Sequence, residues 1–292
     1  MEHIETYVFL DLETTGLPQY EYNKTSITEL SMVAVKRNHI LDGTGDRAPR
    51  VKHKLTLCFN PRRIVDPVST EITGLCNNLL EFESYFNEDA LKTINSFLSL
   101  LEKPVCLIAY NGDRFDFPIL QNHILKLKGS FPKDIRCADS WCCVYDILEP
   151  SNNNDSPGGV TGERTQTDGD QHLIELAENS DGNLNEQRLM QLVNESTPKS
   201  KKRKNNLRIC GLSKAKRKLP WGTNAPPKES YKLEEVYKRR VGSLMASAHQ
   251  AENDCIMALE IAVTLKDKFV KWVDENCHLF SECAPMTIGV PL

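Results

Sequence analysis

The run Tyr7–Glu13 (YVFLDLE) is apolar at Val8, Phe9, Leu10 and Leu12, yet it carries two carboxylates, Asp11 and Glu13. Its composition reads as a β-strand. Strand side chains alternate, so residues two apart share a face at a spacing of about 6–7 Å. Both acids therefore point the same way at the C-terminal end of the strand. Two anions this close and partly buried raise one another's pKa. Such a strand is tolerable if its end runs into solvent, or if a cation compensates the charge. Mg²⁺ takes oxygen ligands and few of them from protein, so sparse carboxylates suit it. The D-x-E pair alone leaves both readings open.

Two later segments add to this. Asn111-Gly112-Asp113-Arg114-Phe115-Asp116-Phe117-Pro118 follows a short apolar run and opens a helix. Asp116 stands where a helix N-cap belongs, which is its plainest role. The sharper one makes Asp116 a metal ligand, Phe115 a stacking residue for a base and Arg114 a phosphate contact. His249-x-x-x-x-Asp254 stands at the start of the last helix. Asp254 precedes apolar Cys255-Ile256-Met257, which places it near the boundary between helix surface and core. Imidazoles titrate close to neutral pH, so a histidine suits the removal of a proton from water. The turn Thr14-Thr15-Gly16-Leu17-Pro18 can present backbone groups to a nucleotide beside the carboxylates.

The pattern around these motifs is α/β. Glu29–Val35 and Lys54–Phe59 read as strands two and three. Asn87–Leu101 has a helical apolar stripe, Val105–Tyr110 reads as a buried strand, Phe117–Lys128 as a helix and Arg136–Trp141 as a fifth strand. Tyr231–Val241 is expected to be a short helix ended by Gly242. One long helix is expected from about Ser247 to Asn276, opened by a capping box of Ser247 and Gln250.

Between residues 149 and 227 the composition turns to Ser, Asn, Gly, Asp and Thr, and a largely disordered insertion is expected. Its charge is segregated: ten acids against two arginines from Glu149 to Glu195, then ten Lys/Arg and no acid from Lys199 to Lys218. The basic run Lys199–Lys204 admits three readings: a nuclear address, a tether for DNA phosphates, or a solvated segment. Residues 1–148 and 228–292 are then expected to form a single domain. Hydrophobic residues are 40% and charged residues 26%, the mix of a soluble globular chain, and the formal net charge of −4 gives no global sign of a polyanion partner. The ten cysteines include no C-x-x-C pair, so a zinc site is not expected and buried free thiols are. No signal-peptide core and no apolar stretch of about 20 residues is seen, so a soluble protein of the nucleus or cytoplasm is expected.

The order D-x-E, then N-x-x-x-F-D, then H-x-x-x-x-D resembles the DEDDh exonucleases of the ribonuclease-H-like fold. Thr28-Glu29-Leu30, Lys54–Cys58, Glu71-Ile72-Thr73-Gly74-Leu75 and the run Ala109–Leu120 resemble the three-prime repair exonuclease family, over roughly 7–148 and 230–272. The resemblance implies a mixed five-stranded sheet flanked by helices. It implies 3′→5′ removal of nucleoside monophosphates from single-stranded or mismatched DNA ends, in DNA repair or in the degradation of stray DNA. Asp11, Glu13, Asp116 and Asp254 would hold two Mg²⁺, for which Mn²⁺ could substitute, with His249 as general base. Leu17, Pro18, Ile72 and Phe115 would pack on the terminal nucleotides, and Thr14, Asn111, Arg114 and Ser230 would also contact substrate. Such enzymes are usually homodimers joined through sheet edges. The chain departs from the family in three places. Tyr110 stands where mammalian members have His, Lys228-Glu229 replaces a basic pair, and Asp42–Arg50 replaces a proline-rich segment. The hydrophobic tail of the membrane-anchored relative is absent, so no membrane anchor is expected. An exoribonuclease, a proofreading subunit and a non-catalytic end-binding module are the rival readings.

Overall fold

Strand β1 (Thr6–Thr14) is buried at every position except Asp11 and Glu13. The computed structural model in which it lies describes residues 3–43, 45, 47–149, 229–242 and 249–287. These residues belong to one compact unit made from both ends of the chain. The expected insertion from Pro150 to residue 227, the basic run Lys199–Lys204 and Ser247 lie outside the described residues.

Strands β2 (Ile27–Lys36) and β3 (His53–Cys58) extend β1 as an antiparallel meander. Strand β4 (Val105–Ala109) pairs parallel to the other side of β1, and β5 (Arg136–Asp139) pairs parallel to β4. A sixth strand, β6 (His278–Leu279), closes that side antiparallel to β5, and the sheet order is β3-β2-β1-β4-β5-β6. Five strands were expected. The sixth is two residues long, too short to show a period of two.

Alternation along β1 divides the core between the two faces. Tyr7 and Phe9 face one core, with Val33, Val35, Cys106 and Ile108. That core is closed by helices α7 (Leu233–Val241), α8 (Ala251–Leu265) and α9 (Asp267–Asn276). Val8, Leu10 and Leu12 face the other, with Leu30, Met32 and Leu107. It is closed by α4 (Glu88–Ser99) and α5 (Asp116–Lys126). Asp11 and Glu13 continue the Tyr7–Phe9 register, so the period of two directs both toward the α8 side.

Several local expectations need correction. The fifth strand stops at Asp139 rather than Trp141, because the Asp139 side chain accepts from the Trp141 N–H and caps helix α6 (Ser140–Leu148), which was not anticipated. Short helices α1 (Arg37–Leu41), α2 (Pro67–Thr73) and α3 (Asn77–Leu80) were also missed, each of at most two turns. The α2 boundaries carry local signals: Asp66 caps the Val68 N–H at 2.8 Å, Pro67 opens the helix, and Gly74 ends it at φ +74°. The single long C-terminal helix is two helices. Lys266, at φ +43° and ψ −117°, breaks it, with its ammonium donating to the Gly43 carbonyl at 2.6 Å. The break turns the apolar face Phe269-Val270-Val273 of α9 back into the core beside α6. Helical periodicity runs across both halves, so it could not mark the break.

One polar cluster ties the chain ends to the sheet. Asp274 of α9 accepts from Arg37 at 3.0 and 2.8 Å and from the Ile4 N–H at 3.0 Å, while His3 lies at 2.9 Å. Burial pushes the Asp274 carboxyl up, but these donors outweigh it and hold the group below the usual carboxylate range. Removing one member of a partly buried ion pair strands the other. Asp274→Ala is therefore expected to lower unfolding stability by roughly 1–3 kcal/mol, less than for a fully buried pair because solvent reaches Arg37. Urea denaturation checks this as a lower midpoint at an unchanged slope.

Candidate active site

Three carboxylates converge at the C-terminal end of β1. Asp11 and Glu13 come from the strand and Asp254 from the first turn of α8, and one oxygen of each lies within 4.8 Å of the others. A backbone irregularity follows directly, since the β1–β2 register shifts between Glu13 and Thr14. The position of α8 is fixed by a residue not assigned from sequence. Glu29 stands opposite Glu13 in the register, and its carboxylate accepts from the Ala251 N–H at 3.0 Å. That N–H belongs to the first residue of α8, where a helix has donors to spare. The expected Ser247–Gln250 capping box is not how α8 begins. Gln250 itself takes the N-cap position and makes no side-chain cap bond, so Glu29 serves the helix from across the sheet.

Asp116 is the fourth acid, only 2% exposed. It does not cap α5. Phe115 occupies the N-cap position, and the Asp116 carboxylate turns toward β1 and accepts from the Leu12 N–H at 3.1 Å. The carboxylate thus reaches the strand between Asp11 and Glu13. The loop before it is held by a second missed residue, Asp139, whose carboxylate accepts from the Asn111 and Asp113 N–H groups at 3.0 and 3.3 Å. Asn111 has a left-handed backbone at φ +62°. Gly112 packs so tightly that an added Cβ would come within 2.6 Å of Ala109 Cβ and 2.8 Å of the Phe117 ring. Asn-Gly at this turn is a geometric requirement.

Burial and mutual repulsion act together on these acids. Burial, then Asp116 and Glu13, push Asp11 well above the ordinary range. Burial, then Asp254 and Glu29, raise Glu13 to about 8. Asp116 is raised mainly by burial, against the bonds it accepts, and Asp254 is pushed up to about 6 by burial although His249 lowers it. Asp139 rises to about 7 through burial and Asp113. Oxygen-only donors, closely spaced and held against their own charge, fit a hard divalent cation.

His249 lies at the rim. It has a left-handed backbone at φ +65°, its N–H donates to the Asp254 carboxylate at 3.3 Å, and its ring Nε2 is 3.3 Å from Glu234 of α7. The remaining sequence candidates surround the cluster. Thr14 is buried, with its hydroxyl donating to the Gly16 carbonyl. Leu17 is half-buried and Pro18 buried in the turn that follows. Helix α2, which carries half-buried Ile72, is anchored to this turn by the Asp66 N–H donating to the Thr15 carbonyl at 2.7 Å. Phe115 is half-buried, while Asn111 and Arg114 are exposed. Ser230 is exposed and sits beside Tyr231, whose carbonyl accepts from the Tyr110 hydroxyl at 2.6 Å. The departure at position 110 thus ties the start of α7 to the Asn111 loop.

The raised carboxyls link metal binding to pH. A group whose folded pKa is raised stabilises the fold only while protonated, and that stabilisation is lost as pH rises, here through about 6 for Asp254 and about 8 for Glu13. A divalent cation held there would compete with those protons, so its binding is expected to strengthen as pH rises. His123, pushed down to about 4 by burial, titrates in the opposite sense, so the readout is the difference with and without metal. At Mg²⁺ about 100-fold above its dissociation constant at pH 8, the midpoint of thermal unfolding should rise by roughly 5–10 °C. At pH 5.5 the rise should shrink to a small fraction of that, and in Asp254→Asn it should be much reduced at both pH values. An equal rise at both pH values in the native chain would separate metal binding from these carboxyls.

A family model described as "Exonuclease" matches residues 8–155. Three prime repair exonuclease 2 of Mus musculus is 40% identical over 97% of this chain and 93% of its own length. Three-prime repair exonuclease 1 of Bos taurus is 28% identical over 98% of this chain and 71% of its own. Among solved structures, E. coli exonuclease I in complex with a dT13 oligonucleotide superposes with a TM-score of 0.51 at 16% identity, over 93% of this chain. This chain spans only 43% of that enzyme's length, and the likeness is one of fold. The near-full-length match to the mouse protein, joined to the exonuclease match over β1 through α6, means that this chain belongs to the three-prime repair exonuclease family and is a nuclease.

Proposed function

We propose that the chain is a 3′→5′ exodeoxyribonuclease that releases nucleoside 5′-monophosphates from single-stranded or mismatched DNA 3′ ends, in DNA repair or the removal of stray DNA. The observation that carries this reading is the convergence of Asp11, Glu13 and Asp254 beside buried Asp116, with His249 five residues before Asp254. Four ionised carboxylates would repel a phosphodiester, so the cluster serves such a substrate only with its charge neutralised. Asp11, Glu13, Asp116 and Asp254 are assigned as ligands for two Mg²⁺, or Mn²⁺ in substitution, which when bound supply charge neutralisation and activation of water.

His249 is assigned as the group that takes the proton from water. The Glu234 carboxylate beside Nε2 favours the tautomer with its proton on that nitrogen, which leaves Nδ1 as the acceptor. Leu17, Pro18, Ile72 and Phe115 are assigned to the terminal nucleotides, where apolar packing tolerates any base. Thr14, Asn111, Arg114 and Ser230 are assigned to substrate contacts, with Arg114 toward phosphate. Strand β3 is the outer edge of the sheet on its side, which suits it to pair with a second copy. No helix among the described residues is long and apolar enough to cross a membrane. Work on DNA in the nucleus or cytoplasm is part of the proposed reading.

Digestion of 3′-labelled oligonucleotides tests the reading. Single-stranded DNA should yield nucleoside 5′-monophosphates with Mg²⁺ and nothing with EDTA, and RNA of the same sequence should be degraded much more slowly. Preferred degradation of RNA would replace the substrate assignment. Asp254→Asn should lose more than the ~100-fold that loss of an outer-shell metal partner costs. For His249 the informative change is Asn, which also tolerates the left-handed backbone. It should lower turnover by about 10²–10⁴-fold with DNA affinity little changed, whereas equal losses in both would make His249 a binding residue.

A further inference from the structure

A second group of ligating side chains lies apart from the carboxylates. Cys137 of β5, His278 of β6 and Cys283, which follows the short 3₁₀ turn Phe280–Glu282, each offer one atom to a common point. Cys137 and Cys283 are buried at 0% and 7% exposure. Their sulfurs are 3.3 Å apart, and the His278 Nε2 is 3.2 Å from one and 3.5 Å from the other. A disulfide needs about 2.05 Å between sulfurs, so this pair is not bonded. Zn–S bonds of about 2.3 Å and Zn–N bonds of about 2.0–2.1 Å in a tetrahedron separate the ligand atoms by roughly 3.5–3.8 Å. The observed triangle is within about half an ångström of that. A further donor is close, since the Asp113 carboxylate lies 3.9 Å from His278 Nε2.

We infer that Cys137, His278 and Cys283 form a zinc site, with Asp113 or a water completing the fourth position. The donor set separates it chemically from the carboxylate cluster: thiolate and imidazole select zinc, whereas all-oxygen sites select magnesium. The three ligands come from β5 and from the chain that returns after α9. Asp113 belongs to the loop that presents Asp116, and its N–H donates to Asp139, the last residue of β5, in register with Ala109. A metal here clamps the last strand and the C-terminal segment onto β5, beside the support of the Asp116 loop. Its role is therefore structural. The spacing offers no C-x-x-C signal, because Cys137 is 141 residues from His278.

The test uses the full-length chain expressed with added zinc and freed of weakly held metal by dialysis against metal-free buffer. Native mass spectrometry should show one zinc per chain, retained in Asp254→Asn and in a Cys76→Ser control. Cys283→Ser and His278→Asn should each weaken zinc by at least the ~100-fold expected for loss of a metal partner. Replacement of zinc by Co²⁺ in the native chain should produce a near-ultraviolet thiolate charge-transfer band, a readout that needs no variant to fold. A carboxylate site cannot produce that band. Zinc lost in Asp254→Asn but kept in Cys283→Ser would assign the metal to the carboxylates and overturn the inference. So would a cobalt form without the band, or a Cys137–Cys283 disulfide seen as a mass lower by two hydrogens.

Discussion

Negative charge held inside the protein is the constraint around which this structure is arranged. Asp11 and Glu13 share one face of a strand that is otherwise fully buried. Asp116 and Asp254 are brought to the same strand end, and each of the four carboxyls is raised above its ordinary range, first of all by burial. Without a cation the cluster resists ionisation more than an exposed carboxylate does. An arrangement that opposes its own ionisation is stable only because the remainder of the fold over-determines it.

That support comes from backbone donors and from sheet register. The Leu12 N–H draws the Asp116 carboxylate onto β1, and Asp139 holds the Asn111 and Asp113 N–H groups so that the loop delivers Asp116 at that place. Glu29, opposite Glu13, takes the first N–H of α8 and so sets the height at which Asp254 meets the strand. Asp139 and Glu29 need not touch substrate to matter. They are positioning residues, and each spends its charge on backbone N–H groups, which are good partners for a carboxylate in a poorly solvated site. The opposite face of β1 contributes rigidity, with Val8, Leu10 and Leu12 packed among Leu30, Met32 and Leu107. The Tyr110 hydroxyl, bound to the Tyr231 carbonyl, ties the loop to α7 and thus to the helix whose Glu234 meets His249.

Much of this was legible in the chain. Alternating or β-branched stretches and one continuous apolar run located β1 through β4, Arg136–Trp141 overlapped β5, and the carboxylates two apart on β1 implied a shared direction. The segments Thr28–Leu30, Lys54–Cys58, Glu71–Leu75 and Ala109–Leu120, read beside the order of the acidic motifs, led to the family that the sequence comparisons support. Local reading failed where a residue serves a distant partner. Asp116 had the position of an N-cap, yet its bond goes to Leu12, 104 residues away. Glu29 looked like an ordinary strand residue, and its acceptor role lies 222 residues away at Ala251. Lys266 interrupts a helical pattern that is continuous in sequence, and its side chain finds the Gly43 carbonyl.

The sequence by itself determined which residues alternate, which turns need Gly or Asn, and which acids share a face, because these follow from periods of two and 3.6 within a few residues. Tertiary structure alone decided that Asp254 meets Asp11 and Glu13, that Asp139 supports the Asn111 loop, and that Cys137, His278 and Cys283 come together. Such meetings depend on which strands lie side by side and on where the chain returns after α9. Those choices minimise the exposure of two extended apolar faces at once, and no short stretch of residues encodes a sum taken over the whole fold.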